Sequence, residues 1–296
     1  MEVIMKGENK GFEILGYIVL GIFAVACILP FLLLISGSIT DEITITAKGY
    51  SFIPAKVGFS AYQYIFSHMS TFVRSTLISL GITAVGTIIH TALAATMAYP
   101  LSKQDMPGRT AFSFLIIVTI LLNGGLVPTY LVYTQLLHIK NTLWALLIPT
   151  LLLNGYNIIL LRNFFSQSIP ASMLEAARID GASEWKIFVS IVLPVSKPML
   201  TTVALMAGMG YWNDWNNGLY YIKDEAKMGL QNILNNIIKN AEFLSSHASS
   251  VSASTTIPVE SLRMAVALVA AIPMVLLYIC LQKYFVAGMM MGAVKE

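Results

Sequence analysis

The sequence predicts an all-α integral membrane protein with six transmembrane helices, and three observations carry that prediction. Hydrophobic residues make up 56% of the 296-residue chain and charged residues only 11%, with a mean hydropathy of +0.73. A soluble domain needs far more charge than this to coat its surface. Apolar runs of about 20 residues, each long enough to span a hydrocarbon core, recur along the whole length. No segment alternates with the two-residue period of a barrel strand, and backbone in hydrocarbon must close its own hydrogen bonds, so the runs are helices. The net charge of +3 is too small to point to nucleic acid. Cys27 and Cys280 both lie inside apolar runs, where they read as small buried hydrophobes rather than a disulfide or a metal pair.

The first run, 12–37, follows Lys6 and Lys10 as the core of a signal peptide would, and Ala24-Val25-Ala26-Cys27 resembles a cleavage box. It continues to Ile35, however, about 20 apolar residues against the roughly 7–15 of a signal core, so it is read as a retained span. The remaining spans are 74–101, 109–135, 141–163, 197–222 and 261–284. This gives an N-terminal segment at 1–11, a six-helix membrane domain at 12–284 with its core at 74–284, and a C-terminal tail at 285–296. With both termini in the cytoplasm, ten Lys and Arg residues fall in inner segments and eight in outer ones, a bias in the direction of the positive-inside rule. Two outer segments are long. Residues 38–73 are mixed polar with aromatics, and 223–260 contain the Ser-rich stretch 245–252, which has little reason to pack.

The inner stretch 164–196 is of a different kind. Pro170 suits the first turn of a helix, and Met173, Leu174, Ala177 and Ile179 supply an apolar stripe beside Glu175, Arg178 and Asp180. Gly181 stands where a helix end needs positive φ. Ser183 caps a second helix with Glu184 in its first turn, and Pro194 and Pro198 close it. Two short helices joined by a tight turn, displayed on the cytoplasmic surface over 168–194, imply something that docks on them.

Glu175-Ala176-Ala177, then Gly181, then Ile191-Val192-Leu193-Pro194 resembles the EAA signature of bacterial ABC importer permeases. The resemblance implies a type I ABC importer permease fold in which the pair forms coupling helices that enter a cleft on an ATPase subunit. Glu175, Ala176, Ala177, Asp180, Gly181, Ile191, Leu193 and Pro194 would then be the coupling residues. Asn123-Gly124-Gly125-Leu126-Val127-Pro128-Thr129-Tyr130, Arg162-Asn163-Phe164-Phe165 and the closing 281–288 stretch are similar to the carbohydrate-type permeases, in particular the complex-oligosaccharide group. By that resemblance the partners are a homologous second permease, two ATPase copies and an external solute-binding protein, in a bacterial plasma membrane. ATP and Mg²⁺ would be used by the ATPase, with no cofactor and no catalytic residue in this chain.

Polar groups recur at one depth on three spans. Asn123 on the third lies about 20 Å from the inner end, and Asn154, Tyr156 and Asn157 on the fourth about 20 Å from the outer end. On the fifth, Tyr211, Trp212, Asn213, Asp214, Trp215 and Asn216 lie about 20–30 Å from the inner end. Such groups are costly in lipid unless they face protein or water. Aromatic faces beside amides and a carboxylate match the C–H faces and hydroxyls of a sugar, which makes these residues candidates for a substrate path. Interfacial aromatic belts and interhelical amide bonds are the competing account, and His90 reads as a packed, hydrogen-bonded residue.

No G-x-x-x-x-G-K-[ST] loop occurs, so ATP hydrolysis belongs to other subunits. A permease for another polar solute stays open. An ion-coupled secondary transporter fits less well, because Asp214 is nearly alone among intramembrane ionisable groups. A membrane enzyme would need a surface cluster of His, Asp or Glu, and none is present. The topology is testable by labelling a cysteine introduced at Ser183 with a membrane-impermeant reagent. No labelling from outside intact cells is expected, and labelling there would overturn the six-span orientation.

Overall fold

The computed structural model describes residues 10–246 and 258–293. In chain order its helices are α1 (Lys10–Ser38), α2 (Glu42–Lys48), α3 (Ser60–Ser67), α4 (Met69–Ser102), α5 (Arg109–Leu121), α6 (Leu126–Leu131), α7 (Trp144–Leu147), α8 (Gly155–Ser168), α9 (Ala171–Ile179), α10 (Glu184–Ile187), α11 (Leu193–Val195), α12 (Lys197–Trp212), α13 (Asn216–Tyr221), α14 (Leu230–Ser246) and α15 (Val259–Ala293). A π-helical turn extends α6 over Val132–Leu136, and another joins α10 to α11 over Phe188–Val192. The fold is all-α and multi-pass. Helices α1, α4 and α15 are long and apolar enough to cross a bilayer, and two bent pairs bring the number to five if each is one crossing.

Three expected spans are not continuous helices. The third breaks after α5, and the following helix turns away by 110°. Asn123 Oδ1 accepts from the Gly125 N–H at 2.9 Å and Gly125 takes φ +83, so a local side-chain turn replaces the helical ladder. The fourth is helical only over α7 and α8. Pro149 lacks an N–H and cannot sit inside a helix without clashing with the preceding turn, and Thr150 adopts φ +61. The fifth ends at Trp212, and Asp214 starts a new helix by accepting from the N–H groups of Asn216 (3.1 Å) and Asn217 (3.3 Å). Correction is also needed at 223–260, expected as a loop. Residues 230–246 are helical, with Leu230, Ile233 and Leu234 buried at helical spacing. Residues 247–252 of the Ser-rich stretch lie outside the described residues. The expected tail from 285 is helical through Ala293.

The chain divides into two compact units, Met1–Met69 with Asn236–Ile272, and Ser70–Asn235 with Pro273–Glu296. In the first, none of the membrane-length window of α1 is buried, and Cys27 is exposed rather than buried. Such a helix is dressed for hydrocarbon, in which a thiol behaves as a small apolar group. The start of α15 is capped by a side chain from α2. The Glu42 carboxylate accepts from the N–H groups of Glu260 (2.8 Å) and Ser261 (2.9 Å) and from the Ser261 hydroxyl (2.7 Å), which places negative charge where a helix N-terminus favours it. Arg263 bridges Glu242 (2.6 Å) and Glu260 (3.1 Å). Partial burial and a hydrogen bond to Glu260 push the Tyr50 hydroxyl up to about 12.

The second unit is built on α4. Its buried face runs Phe72, Ser75, Ser79, Thr83, Gly86, His90, Ala94, Ala98 and Leu101, a three- and four-residue spacing of mostly small side chains that lets neighbouring backbones approach closely. Near its C-terminal end this face joins Leu161, Phe164, Ile187, Val192 and Val203 in the main core. Farther along, the Tyr211 ring lies on Gly86, where a Cβ would come within 2.5 Å of it. Tyr211 is 4% exposed and its hydroxyl donates to the Leu147 carbonyl at 3.0 Å, so the ring cannot swing aside. Gly86→Ala should therefore cost about 1–3 kcal/mol, read as a lower melting temperature of the purified protein. An unchanged value would mean that α4 and α12 separate without penalty.

Candidate functional site

Two places carry the sequence-selected residues, a surface helix pair and a set of helix breaks. In the pair, Pro170 sits just before α9 with extended ψ rather than in its first turn. The end of α9 is closed by two bonds, Gly181 N–H to Arg178 O and Ala182 N–H to Ala177 O, both 3.0 Å, with Gly181 at φ +78. That is a Schellman motif, which requires a residue free to adopt positive φ. Ser183 Oγ then accepts from the Lys186 N–H at 3.3 Å to open α10.

The eight residues selected in this stretch face different ways. Glu175, Ala176, Asp180, Gly181 and Pro194 are exposed, and nothing lies within 4 Å of where a Gly181 Cβ would stand. Ala177 is buried, and Ile191 and Leu193 are half-buried against the main core. Only one of the paired alanines thus belongs to an outer surface, while the other keeps α9 close to the core. Two large apolar side chains share the exposed face, Ile179 at 86% and Trp185 at 66% exposure. Trp185 escaped the sequence reading because a tryptophan at a helix start signals core as readily as surface.

Glu184, read from sequence only as a first-turn acid, is a junction. Its carboxylate accepts from Tyr99 Oη at 2.8 Å, from Lys103 Nζ, and from Arg178 Nε at 3.0 Å. The Lys103 bond, helped by those of Tyr99 and Arg178, outweighs partial desolvation and holds Glu184 down to about 2. The end of α4 beside it is gripped as well. The Leu101 carbonyl accepts from Arg109 Nε (3.1 Å) and Arg162 Nε (3.2 Å), and the Ser102 carbonyl from Ser166 Oγ (3.1 Å), positive charge standing where a helix C-terminus favours it.

At the breaks, the end of α7 and the unwound segment 148–154 are held by side chains from α4, α12 and α13. Tyr211 Oη donates to Leu147 O at 3.0 Å, Asn217 Nδ2 to Pro149 O at 3.0 Å, and His90 Nδ1 to Leu151 O at 2.9 Å. Asn157 Nδ2 meets His90 Nε2 at 2.9 Å, which with a proton on Nδ1 makes the ring a neutral bridge. A Cβ on Gly155 would touch Ile116 and Ile120, so the start of α8 lies beside the end of α5. The three breaks are thus neighbours. Of the path candidates, Asn157, Tyr211 and Trp212 are buried in packing roles, and Asp214 is half-buried as the cap of α13. Asn123, Asn154, Tyr156, Asn213, Trp215 and Asn216 are exposed. Asn154 is itself a cap, accepting from the Tyr156 N–H at 2.9 Å. Among the described residues no group of three or more His, Cys, Asp or Glu side chains is placed to hold a metal.

The family model for the inner membrane component of binding-protein-dependent transport systems matches residues 13–291. The chain is 37% identical over 288 residues to the polygalacturonan/rhamnogalacturonan transport system permease protein YtcP of Bacillus subtilis (strain 168), covering 97% of this chain and 99% of that one. It is 30% identical over 279 residues to the melibiose/raffinose/stachyose import permease protein MelC of the same organism, covering 93% and 94%. Among solved structures it resembles a chain of a bacterial ABC transporter involved in the import of the acidic polysaccharide alginate. There the TM-score is 0.78 and the identity 30%, over 94% of this chain and 97% of that chain.

The lowered pKa of Glu184 fixes a pH signature. A carboxylate depressed from 4.5 to about 2 contributes its full stabilisation above pH 4.5 and loses it as pH falls through about 2. Because the group is half exposed, that contribution is within about 1 kcal/mol. The gap in melting temperature between wild type and Glu184→Ala should stay constant from about pH 5.5 to 8 and narrow only below about pH 4.5. A gap that varied across neutral pH would show that another titration governs the junction.

Proposed function

The chain belongs to the family of binding-protein-dependent transport inner membrane components, and we propose that it crosses the membrane six times, lines a path for oligosaccharides and receives the ATPase stroke through α9 and α10. As a carbohydrate-type ABC importer permease subunit, it is a non-catalytic, multi-pass membrane protein that works with a solute-binding protein and an ATPase to import a sugar. The relatives are named for acidic and for neutral glycans alike. What these three share is a substrate of more than one sugar unit, and that supports an oligosaccharide without fixing its charge.

The observation that carries the coupling role is the form of the exposed turn. Glu175, Ala176, Ile179, Asp180, Gly181 and Trp185 project from a helix pair whose inner side, through Ala177, Ile187 and Val192, is locked into the main core. A pair so anchored moves as a body when something pulls on its outer face. In this reading both termini and the 168–194 pair are cytoplasmic, and a homologous second permease and two ATPase copies complete the assembly. The ATPase alone uses ATP and Mg²⁺. Closure of its two copies shifts the pair, and the membrane helices pass between inward- and outward-open packings close in energy.

The breaks are suited to the path. Unwound backbone at membrane depth is tolerated where it faces protein or a watery cavity. The exposed amides of Asn123, Asn154, Asn213 and Asn216, with the rings of Tyr156 and Trp215, offer hydroxyl partners and stacking faces. Tyr211, Trp212 and Asn157 act behind them, holding the breaks in shape.

Gly181 separates docking from backbone strain. Any side chain there incurs about 1 kcal/mol for its positive φ, least for asparagine, and its Cβ has nothing within 4 Å. Gly181→Leu should abolish ATP-driven uptake, with the ATPase either uncoupled or absent on copurification. Gly181→Asn, nearly free of strain, should also impair it. Wild-type uptake and copurification in Gly181→Leu would remove the coupling role.

A further inference from the structure

On the reading that the α9–α10 pair docks on the ATPase, we infer that Glu184 is a positioning residue that fastens the pair to the end of α4, so that the stroke is delivered to α4 as well as to α12. The pair is covalently continuous with α8 before it and with α11 and α12 after it. It has no such link to α4, the helix whose small-residue face organises this unit. Apart from the apolar core that α4 shares with Ala177, Ile187 and Val192, α4 meets the pair through one carboxylate and one ring contact. The carboxylate of Glu184, on α10, takes hydrogen bonds from Tyr99 at 2.8 Å and from Lys103, which directly follows α4, and from Arg178 of α9 at 3.0 Å. The ring contact is Tyr99 against Phe188, with centroids 5.1 Å apart.

These two links differ in kind. An apolar contact is non-directional and lets one helix roll over another. Two charge-assisted bonds from the α4 end to one carboxylate, itself held by Arg178 of α9, fix orientation and register. At the same helix end, Arg109, Arg162 and Ser166 bind the last carbonyls of α4, so the end of α4, the start of α5 and the α8 segment are tied together around it. From there α4 runs to His90, which holds the Leu151 carbonyl of the unwound segment at 2.9 Å. A displacement of the pair therefore has a rigid route to the helix breaks through Glu184, α4 and His90. An exposed charge network adds little to overall stability, so the effect of removing it belongs in transmission rather than in folding.

The test follows α4 and α12 separately in the assembled complex, with ATP plus vanadate as the probe and no sugar required. In a Cys27→Ser, Cys280→Ser background, an environment-sensitive fluorophore is attached at Met97→Cys on α4 or at Met209→Cys on α12. Both methionines are exposed. In the wild-type pair both positions should change signal on trapping. In Glu184→Ala the ATPase should copurify and trap vanadate normally, and the α12 change should persist. The α4 change should fall about five-fold, the scale that an exposed charge network carries. Lys103→Met should give the same loss, and the double variant no more than either single one. A full α4 signal in Glu184→Ala would overturn the inference. So would loss of ATPase copurification in both single variants, which would put Glu184 in the docking contact itself. A wild-type complex in which α12 responds and α4 does not would overturn it as well. Absence of any response at both positions would instead count against the docking reading on which it rests.

Discussion

A backbone carbonyl in hydrocarbon has no water to turn to, and this single constraint organises the second unit. Each of its helix breaks frees peptide groups that a continuous helix would have satisfied, and each is closed by a side chain. Asn123, Asn154 and Asp214 close the N–H groups locally. Tyr211, Asn217 and His90 close three carbonyls at the end of α7 and along the unwound segment, Leu147, Pro149 and Leu151, from three other elements. An unmade bond of this kind costs about 1–3 kcal/mol when buried, so the shape of the breaks is fixed by donors that lie elsewhere in the chain.

That division of labour sorts the polar and aromatic residues into two kinds. Those that hold the carbonyls, Tyr211, Asn217 and His90, are buried, and their chemistry is spent on the fold. Asn123, Asn154, Asn213 and Asn216 stay exposed at the same breaks, the first two while also closing backbone N–H groups. The exposed groups are thereby mounted on backbone that the rest of the unit holds in place.

Helix α4 connects the two ends of the problem. Its small-residue face allows close approach along its length, with Tyr211 seated on Gly86 and Ala94 and Ala98 in the main core. At one end it meets the surface pair through Tyr99 and Lys103, and midway it supports the breaks through His90. The surface pair is anchored on its inner side through Ala177, Ile187 and Val192 and exposed on its outer side at Glu175, Ala176, Ile179 and Trp185.

The sequence by itself determined the class of the protein, the apolar runs, and the turn at Gly181. These are local signals: hydrophobicity summed over about 20 residues, and a glycine that positive φ demands. It also placed Ser183 as a cap and His90 as a packed residue. The helical periodicity of Leu230, Ile233 and Leu234 was equally present, but a nearby Ser-rich stretch obscured it, and Pro149 sat unread inside the fourth run. Only the tertiary structure decided which residues of each motif face inward. Ala176 and Ala177 are identical in sequence terms, yet one is exposed and the other buried. Tyr211, in the same aromatic cluster as Trp215, is a structural donor because Leu147, 64 positions away in the chain, needs one. Glu184 looked like any acid in a first helical turn until Lys103, 81 positions earlier, was brought against it. Pairing between residues so far apart leaves no mark on the periodicity of either segment, because it is set by how the helices pack rather than by the chain around each residue.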